Sequence, residues 1–248
     1  MVPPWRSTRK RLRTGYKQLC RFSAAQCFYY LTESETMVQA VTFDLWGTLI
    51  LDVDGYNQKI EEKREELLLK ELDGISRETL SEAMNQSWNR IQETRSTLKD
   101  VPTSEQISIL TLILGVDRDL EKAYTEAVLH LPPPLNPCAV EVLSRLDAKI
   151  GLISNTGRTP GSVIELLLST MGILQYFDAT LFSNEVGYLK PHPEIFTEAS
   201  RRLRVPLSEI LHVGDDPATD IEGARALGMK TLRMIYPQDL KKVMEFIP

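Results

Sequence analysis

Short apolar runs alternate along this chain with longer stretches in which apolar residues recur at helical spacing. The β-rich run Val38 to Phe43 stops ahead of the turn at Gly47, and runs of the same kind occupy residues 149–154, 179–183, 210–214 and 230–235. Their shortness and turn-residue boundaries predict buried strands. Between them, Val140, Leu143 and Leu146 predict a helix over residues 136–146. Val163, Leu166, Leu167 and Thr170 predict another over residues 162–171, and Ile195, Ala199 and Leu203 a third over residues 194–203. Strand and helix in alternation predict an α/β fold, a doubly wound parallel sheet covered on both faces.

The alternation is suspended from about Asn57 to Leu131, where no strand pattern occurs. Leu80, Met84, Trp88 and Ile91 recur at helical spacing, and Thr103 with Gln106 reads as a capping box ahead of Ile107, Leu110 and Leu114. The segment is bounded by Asp52-Val53-Asp54-Gly55 and by the proline-rich run from Leu131 to Pro137, where a helix cannot continue. The expected organisation is a core domain from residues 37–56 and 132–248, with an all-helical cap domain at 57–131 inserted after the first strand. Two such connections make a hinge pair, so the insert can close over a site on the sheet.

Composition changes the picture mainly at the ends of the chain. Before Glu33, Arg6, Arg9, Lys10, Arg11, Arg13, Lys17 and Arg21 occur with no acidic residue, so residues 1–36 read as a basic extension. A transit segment, a basic arm and an upstream mis-start all share that composition; Met37 leads directly into a strand, which favours the mis-start. The whole chain carries a formal charge of -5, which argues against a dedicated nucleic-acid surface. No apolar run is long enough for a bilayer span. Cys20, Cys27 and Cys138 fit neither a disulfide framework nor a zinc site, and a cytoplasmic location is expected.

Ligands of an open parallel sheet bind beyond the carboxyl ends of its strands, which directs attention to the residues just past each run. They form a coherent set: Asp44-Leu45-Trp46-Gly47-Thr48-Leu49, then Ser154-Asn155-Thr156-Gly157, then Lys190-Pro191, then Asp215-Asp216-Pro217-Ala218-Thr219-Asp220. In order, spacing and placement these stretches resemble the four motifs of the haloacid dehalogenase superfamily, over essentially Val38 to Ile235. The helical insert resembles the first cap type, found in phosphoglycolate phosphatases, β-phosphoglucomutases and 2-haloacid dehalogenases.

The resemblance implies a Mg2+-dependent hydrolase acting on a small phosphorylated substrate through an aspartyl phosphate. Asp44 is the implied nucleophile, and a carboxylate in that role divides one difficult displacement into two easier ones. Ser154 and Asn155 would donate hydrogen bonds to the transferring phosphoryl group, and Lys190 would neutralise its charge and keep Asp44 ionised. Asp44, Asp215 and Asp220, with the main-chain carbonyl of Trp46, are the implied Mg2+ ligands. Asp216 reads as an N-cap followed by proline. His212 reads as a satisfied core histidine, and Trp88 as packing within the insert.

Trp46 breaks the pattern, because relatives that are phosphatases place a second aspartate there as acid and base. Loss of such a group costs about 10²–10⁴-fold in rate. 2-Haloacid dehalogenases carry an aromatic residue at this position, which makes carbon–halogen hydrolysis the rival reading. Asp215 and Asp220 weigh against it, since without a cation they would favour protonating Asp44. A catalytically weak metal- and phosphate-binding protein is the third reading. The sequence leaves the substrate and the oligomeric state open.

Overall fold

The computed structural model describes residues 37–247, so the basic extension at 1–36 lies outside the described residues. Its strands are β1 (Ala40–Phe43), β2 (Lys149–Ser154), β3 (Ala179–Phe182), β4 (Ile210–Gly214) and β5 (Lys230–Arg233). They form a five-stranded sheet in the order β3-β2-β1-β4-β5. Every pairing is parallel, with Thr42 opposite Gly151 on one side and His212 on the other. β1 is therefore central, and the chain reverses its direction of travel across the sheet between β1 and β4. That reversal opens a crevice at the carboxyl ends of the two strands.

Strand alternation sorts the sheet residues onto two covered faces. Val41, Phe43, Leu152, Leu211 and Val213 pack with α6 (Ala139–Arg145) and α7 (Gly161–Thr170). Ala40, Ile153, Leu181 and Ile210 pack with Ile195, Phe196, Ala199 and Leu203 of α8 (Pro193–Leu203). Phe43 is wholly buried, and its truncation to alanine would cost about 3–5 kcal/mol through lost transfer energy and a residual cavity. His212 sits on the second face with Nδ1 2.9 Å from Thr42 Oγ1 and its ring edge-on to Phe196. It is a satisfied core histidine, and burial pushes its pKa down.

Two helices present slightly different faces from those expected. In α6 the buried residues are Ala139, Val142 and Leu143, while Val140 is exposed. In α7 they are Gly161, Ile164, Leu167 and Leu168, while Leu166 is exposed. Runs that are apolar on several sides give a period but no phase, and the sheet sets the phase by contact.

From β1 to β2 the chain is helical: α1 (Tyr56–Glu71), α2 (Arg77–Arg95), α3 (Thr103–Leu114), α4 (Glu121–Thr125) and α5 (Ala127–His130). Leu68, Leu72, Leu80, Met84, Leu110, Leu120 and Tyr124 form a core among these helices, apart from the two sheet faces. The expected capping box at Thr103 does not form. Pro102 precedes the helix as its N-cap, Thr103 Oγ1 accepts from Asn184, and the Gln106 amide turns to Val101 and Gly157 carbonyls. Tertiary partners outcompete the local cap. Among the described residues no helix is long and apolar enough to cross a membrane.

Candidate active site

Each stretch singled out in the sequence sits at the carboxyl end of a strand or the start of a helix. Asp44 follows β1 directly, and its N–H donates to the Val213 carbonyl of β4, which ties the two strand ends together. Asp215 follows β4. Gly47 takes a positive φ of 82°, and a Cβ there would lie 2.5 Å from Asp215 Oδ2. A side chain at 47 would therefore displace the carboxylate as well as strain the backbone. Gly214 has the same function toward Asp220, whose carboxylate would lie 2.3 Å from an added Cβ.

Asp220 is brought inward by the wide helical turn Pro217–Glu222. Asp216 caps that turn, its Oδ1 accepting from the N–H groups of Ala218 and Thr219 at 2.8 and 2.7 Å. It is thus an N-cap and not part of the inner carboxylate group. The inner group is Asp44, Asp215 and Asp220, each offering an oxygen within 4.8 Å of the others.

Lys190 stands among them, with Nζ 2.5 Å from Asp44 Oδ1 and 2.7 Å from Asp220 Oδ1. Burial alone would lower the lysine pKa, but Asp44 and Asp220 outweigh it and hold it up. Burial raises the Asp44 carboxyl to about 7 against the opposing pull of Lys190, and Asp220 and Asp215 push it the same way. Burial and the nearby Asp220 raise Asp215 as well. For Asp220 the burial penalty is outweighed by Lys190 and His212, so its pKa falls. Among the described residues one buried ammonium serves this group of carboxylates, and two of them resist ionisation. Asp44 Oδ2 is buried and has no hydrogen-bond partner. An oxygen-only donor set with surplus negative charge and a free buried oxygen fits a hard divalent cation.

The position of Lys190 depends on Asn155. Asn155 Nδ2 donates to the Lys190 carbonyl at 3.0 Å, and its Oδ1 accepts from the Lys190 N–H at 2.7 Å. This reciprocal pair makes the Asn155 side chain a clamp on the Lys190 backbone. Ser154 Oγ, at the end of β2, is buried without a partner and remains free to donate. Trp46, by contrast, is half-buried on the wall of an adjoining cavity.

That cavity, of about 420 Å³, runs from Trp46, Asn155 and Asp215 to Arg64, Arg95 and Arg158. Arg158 and Arg95 lie over Trp88, with guanidinium carbons 4.3 and 5.6 Å from its ring centroid. Trp88 is therefore a platform for cations and not only interior packing. Glu61 accepts from both Arg158, at 2.7 Å, and Arg64. Arg95 donates to Asp100 at 2.5 Å and to the Thr156 carbonyl at 2.8 Å, so a helix of the insert holds the loop after β2. These arginines were not among the expected site residues. Charged residues within amphipathic helices read as solvated faces, and only Arg158, four positions past Ser154, carried a positional signal.

A family model described as a haloacid dehalogenase-like hydrolase matches residues 38–228. A phosphoglycolate phosphatase of Shigella dysenteriae is 27% identical over 221 residues, covering 80% of this chain and 82% of that one. The human haloacid dehalogenase-like hydrolase domain-containing protein 3 is 32% identical over 118 residues, covering 44% of this chain and 45% of that one. Among solved structures, a 2-haloacid dehalogenase of Pseudomonas syringae pv. Tomato superposes with a TM-score of 0.63 at 24% identity, covering 85% of this chain and 98% of that one. A HAD phosphatase of Thermococcus onnurineus does so with a TM-score of 0.58 at 22% identity, over 85% and 99% of the two chains. With the site at the sheet's crevice and the family match across most of its length, this chain belongs to the haloacid dehalogenase-like hydrolases and is an enzyme of that family.

Proposed function

We propose that the chain is a Mg2+-dependent phosphatase acting on a small phosphate ester through an aspartyl phosphate on Asp44. The observation that carries this reading is Lys190 held between Asp44 and Asp220, with Asp215 completing the carboxylate group. Mg2+ bound by Asp44, Asp215, Asp220 and the Trp46 main chain would supply the positive charge that keeps the carboxylates ionised and draws in a phosphate dianion. Lys190 fixes Asp44 Oδ1, which leaves the unpartnered Oδ2 as the attacking oxygen. Ser154 Oγ donates to a phosphoryl oxygen, and Asn155 acts by holding Lys190 in place. Residues 57–131 serve as the cap that excludes bulk water over a core formed by residues 37–56 and 132–248.

Trp46 favours a second reading, carbon–halogen hydrolysis, because its indole is neither acid nor base. The surplus carboxylate charge beside Asp44 weighs against that reading. Hydrolysis of an activated aryl phosphate, with and without Mg2+, separates the two. Mg2+-dependent turnover abolished by Asp44→Asn, and raised about tenfold or more by Trp46→Asp, is the expected result. No turnover with Mg2+, together with halide release from a 2-haloacid, would establish the second reading instead.

A further inference from the structure

The cavity beside the carboxylates has a chemistry that phosphate binding does not use. Three of its lining side chains are guanidiniums, those of Arg64, Arg95 and Arg158, and all are largely buried, at 2%, 13% and 10% exposed. Their counter-charges are Glu61, shared by Arg64 and Arg158, and Asp100, which takes Arg95. Glu61 thus serves two guanidiniums, whereas Arg95 has Asp100 to itself. The remaining acidic residues on the wall are Asp215, which belongs to the inner carboxylate group, and Asp52, which is exposed at the rim.

Arg158 is the least satisfied of the three guanidiniums. Its Nε is buried and has no hydrogen-bond partner, whereas Arg64 Nε donates to the Tyr124 carbonyl at 2.6 Å. An unmet buried donor is costly, by about 1–3 kcal/mol for an ordinary polar group, so its persistence points to a ligand group that completes it. The guanidinium is also pre-oriented. Trp88 lies beneath it, and Glu61 holds one of its terminal nitrogens. Its other terminal nitrogen donates to the Met84 carbonyl at 3.4 Å, so Nε is the donor left for a ligand, and a charged carboxylate or second phosphate gains more from it than a neutral hydroxyl does.

The cavity of about 420 Å³ runs from Asn155 and Asp215, beside the carboxylates, to the three guanidiniums, so a leaving group that extends along it reaches Arg158.

We infer that the preferred substrate is a phosphate ester whose leaving group extends along the cavity and carries its own anionic group, and that Arg158 is the residue that selects it. This rests on the phosphatase reading for the phosphoryl end, while the selection for charge belongs to the cavity alone. Trp88 and Glu61 position Arg158, and Arg64 holds Glu61.

The test compares binding of phenyl phosphate and 4-carboxyphenyl phosphate, which differ by one carboxylate at the far end. Binding is measured by calorimetry on the full chain carrying Asp44→Asn, so that no turnover occurs. The carboxylated compound is expected to bind about tenfold or more tightly. That ratio should fall towards one when Arg158→Gln is added and only part of the way with Arg158→Lys. Equal binding of the two compounds, or a preference that survives Arg158→Gln, would overturn the inference. Hydrolysis by the unmodified enzyme is followed in parallel: absence of phosphate release with an intact binding preference would count against the phosphatase reading and leave the charge selection standing.

Discussion

Replacing Lys190 with methionine removes the only ammonium between two buried carboxylates while keeping most of the side-chain volume. Nζ lies 2.5 Å from Asp44 Oδ1 and 2.7 Å from Asp220 Oδ1, and the side chain is 2% exposed. Removing one partner of a buried ion pair costs about 3–5 kcal/mol, because the remaining charge stays desolvated. The loss depends on pH, since Asp44 can escape it by taking a proton. Its folded pKa of about 7 already lies above the ordinary aspartate value of 3.8, so the stability linked to its protonation is present at low pH and lost as pH rises through about 7. Without Lys190 that pKa moves higher still. The penalty of Lys190→Met should therefore be larger near about pH 8.5 than near about pH 6, where the lost pair with Asp220 contributes but Asp44 is protonated. Urea unfolding in a chelating buffer at both pH values measures it. Saturating Mg2+ should then restore part of the loss, about 2.7 kcal/mol at a hundredfold excess over Kd, by putting a cation back among the carboxylates. A penalty below about 1 kcal/mol at the higher pH, or one that is equal at the two pH values, would refute this account of the site's electrostatics.

Two further perturbations test other parts of the structure. Gly47→Ala should weaken Mg2+ binding by about tenfold or more and cost at least about 1 kcal/mol, since φ is 82° and the new Cβ would meet Asp215 Oδ2 at 2.5 Å; calorimetry showing unchanged Mg2+ affinity would sink that reading. Asp239 is held at about 2 by Lys242 and by the N–H groups of Tyr236 and Ile235. Its contribution is therefore complete above the unfolded carboxylate value and lost as pH falls through about 2. In Asp239→Asn the acid limb of a melting-temperature profile should be shallower than in the parent, and identical limbs would contradict the assignment.

Much of the fold was legible because its signals are local. Residues 149–154 and 210–214 coincide with β2 and β4, since short β-rich runs ending in turn residues leave little freedom of register. The carboxyl-end rule then led to Asp44, Asp215, Asp220 and Lys190, and the structure gathers them. Asp216 was legible too, because an N-cap followed by proline is written into adjacent residues. Where a local signal met a tertiary competitor it failed: Thr103 and Gln106 have the spacing of a capping box, but Asn184 and two carbonyls provide other partners.

The alternating α/β architecture, the helical insert and the four stretches at strand ends and helix starts are legible in the chain itself, because each depends on neighbours in the chain or on a fixed strand-end rule. Tertiary structure decided what those residues do to one another. It turned the Asn155 side chain onto the Lys190 backbone, left Asp44 Oδ2 and Ser154 Oγ without partners, and gathered Arg64, Arg95 and Arg158 on the wall of one cavity. Residues from α1, α2 and the loop after β2 meet there only once the chain has folded. Hydrophobic periodicity records which side of a helix is buried, but it holds no information about which charged groups will share a cavity.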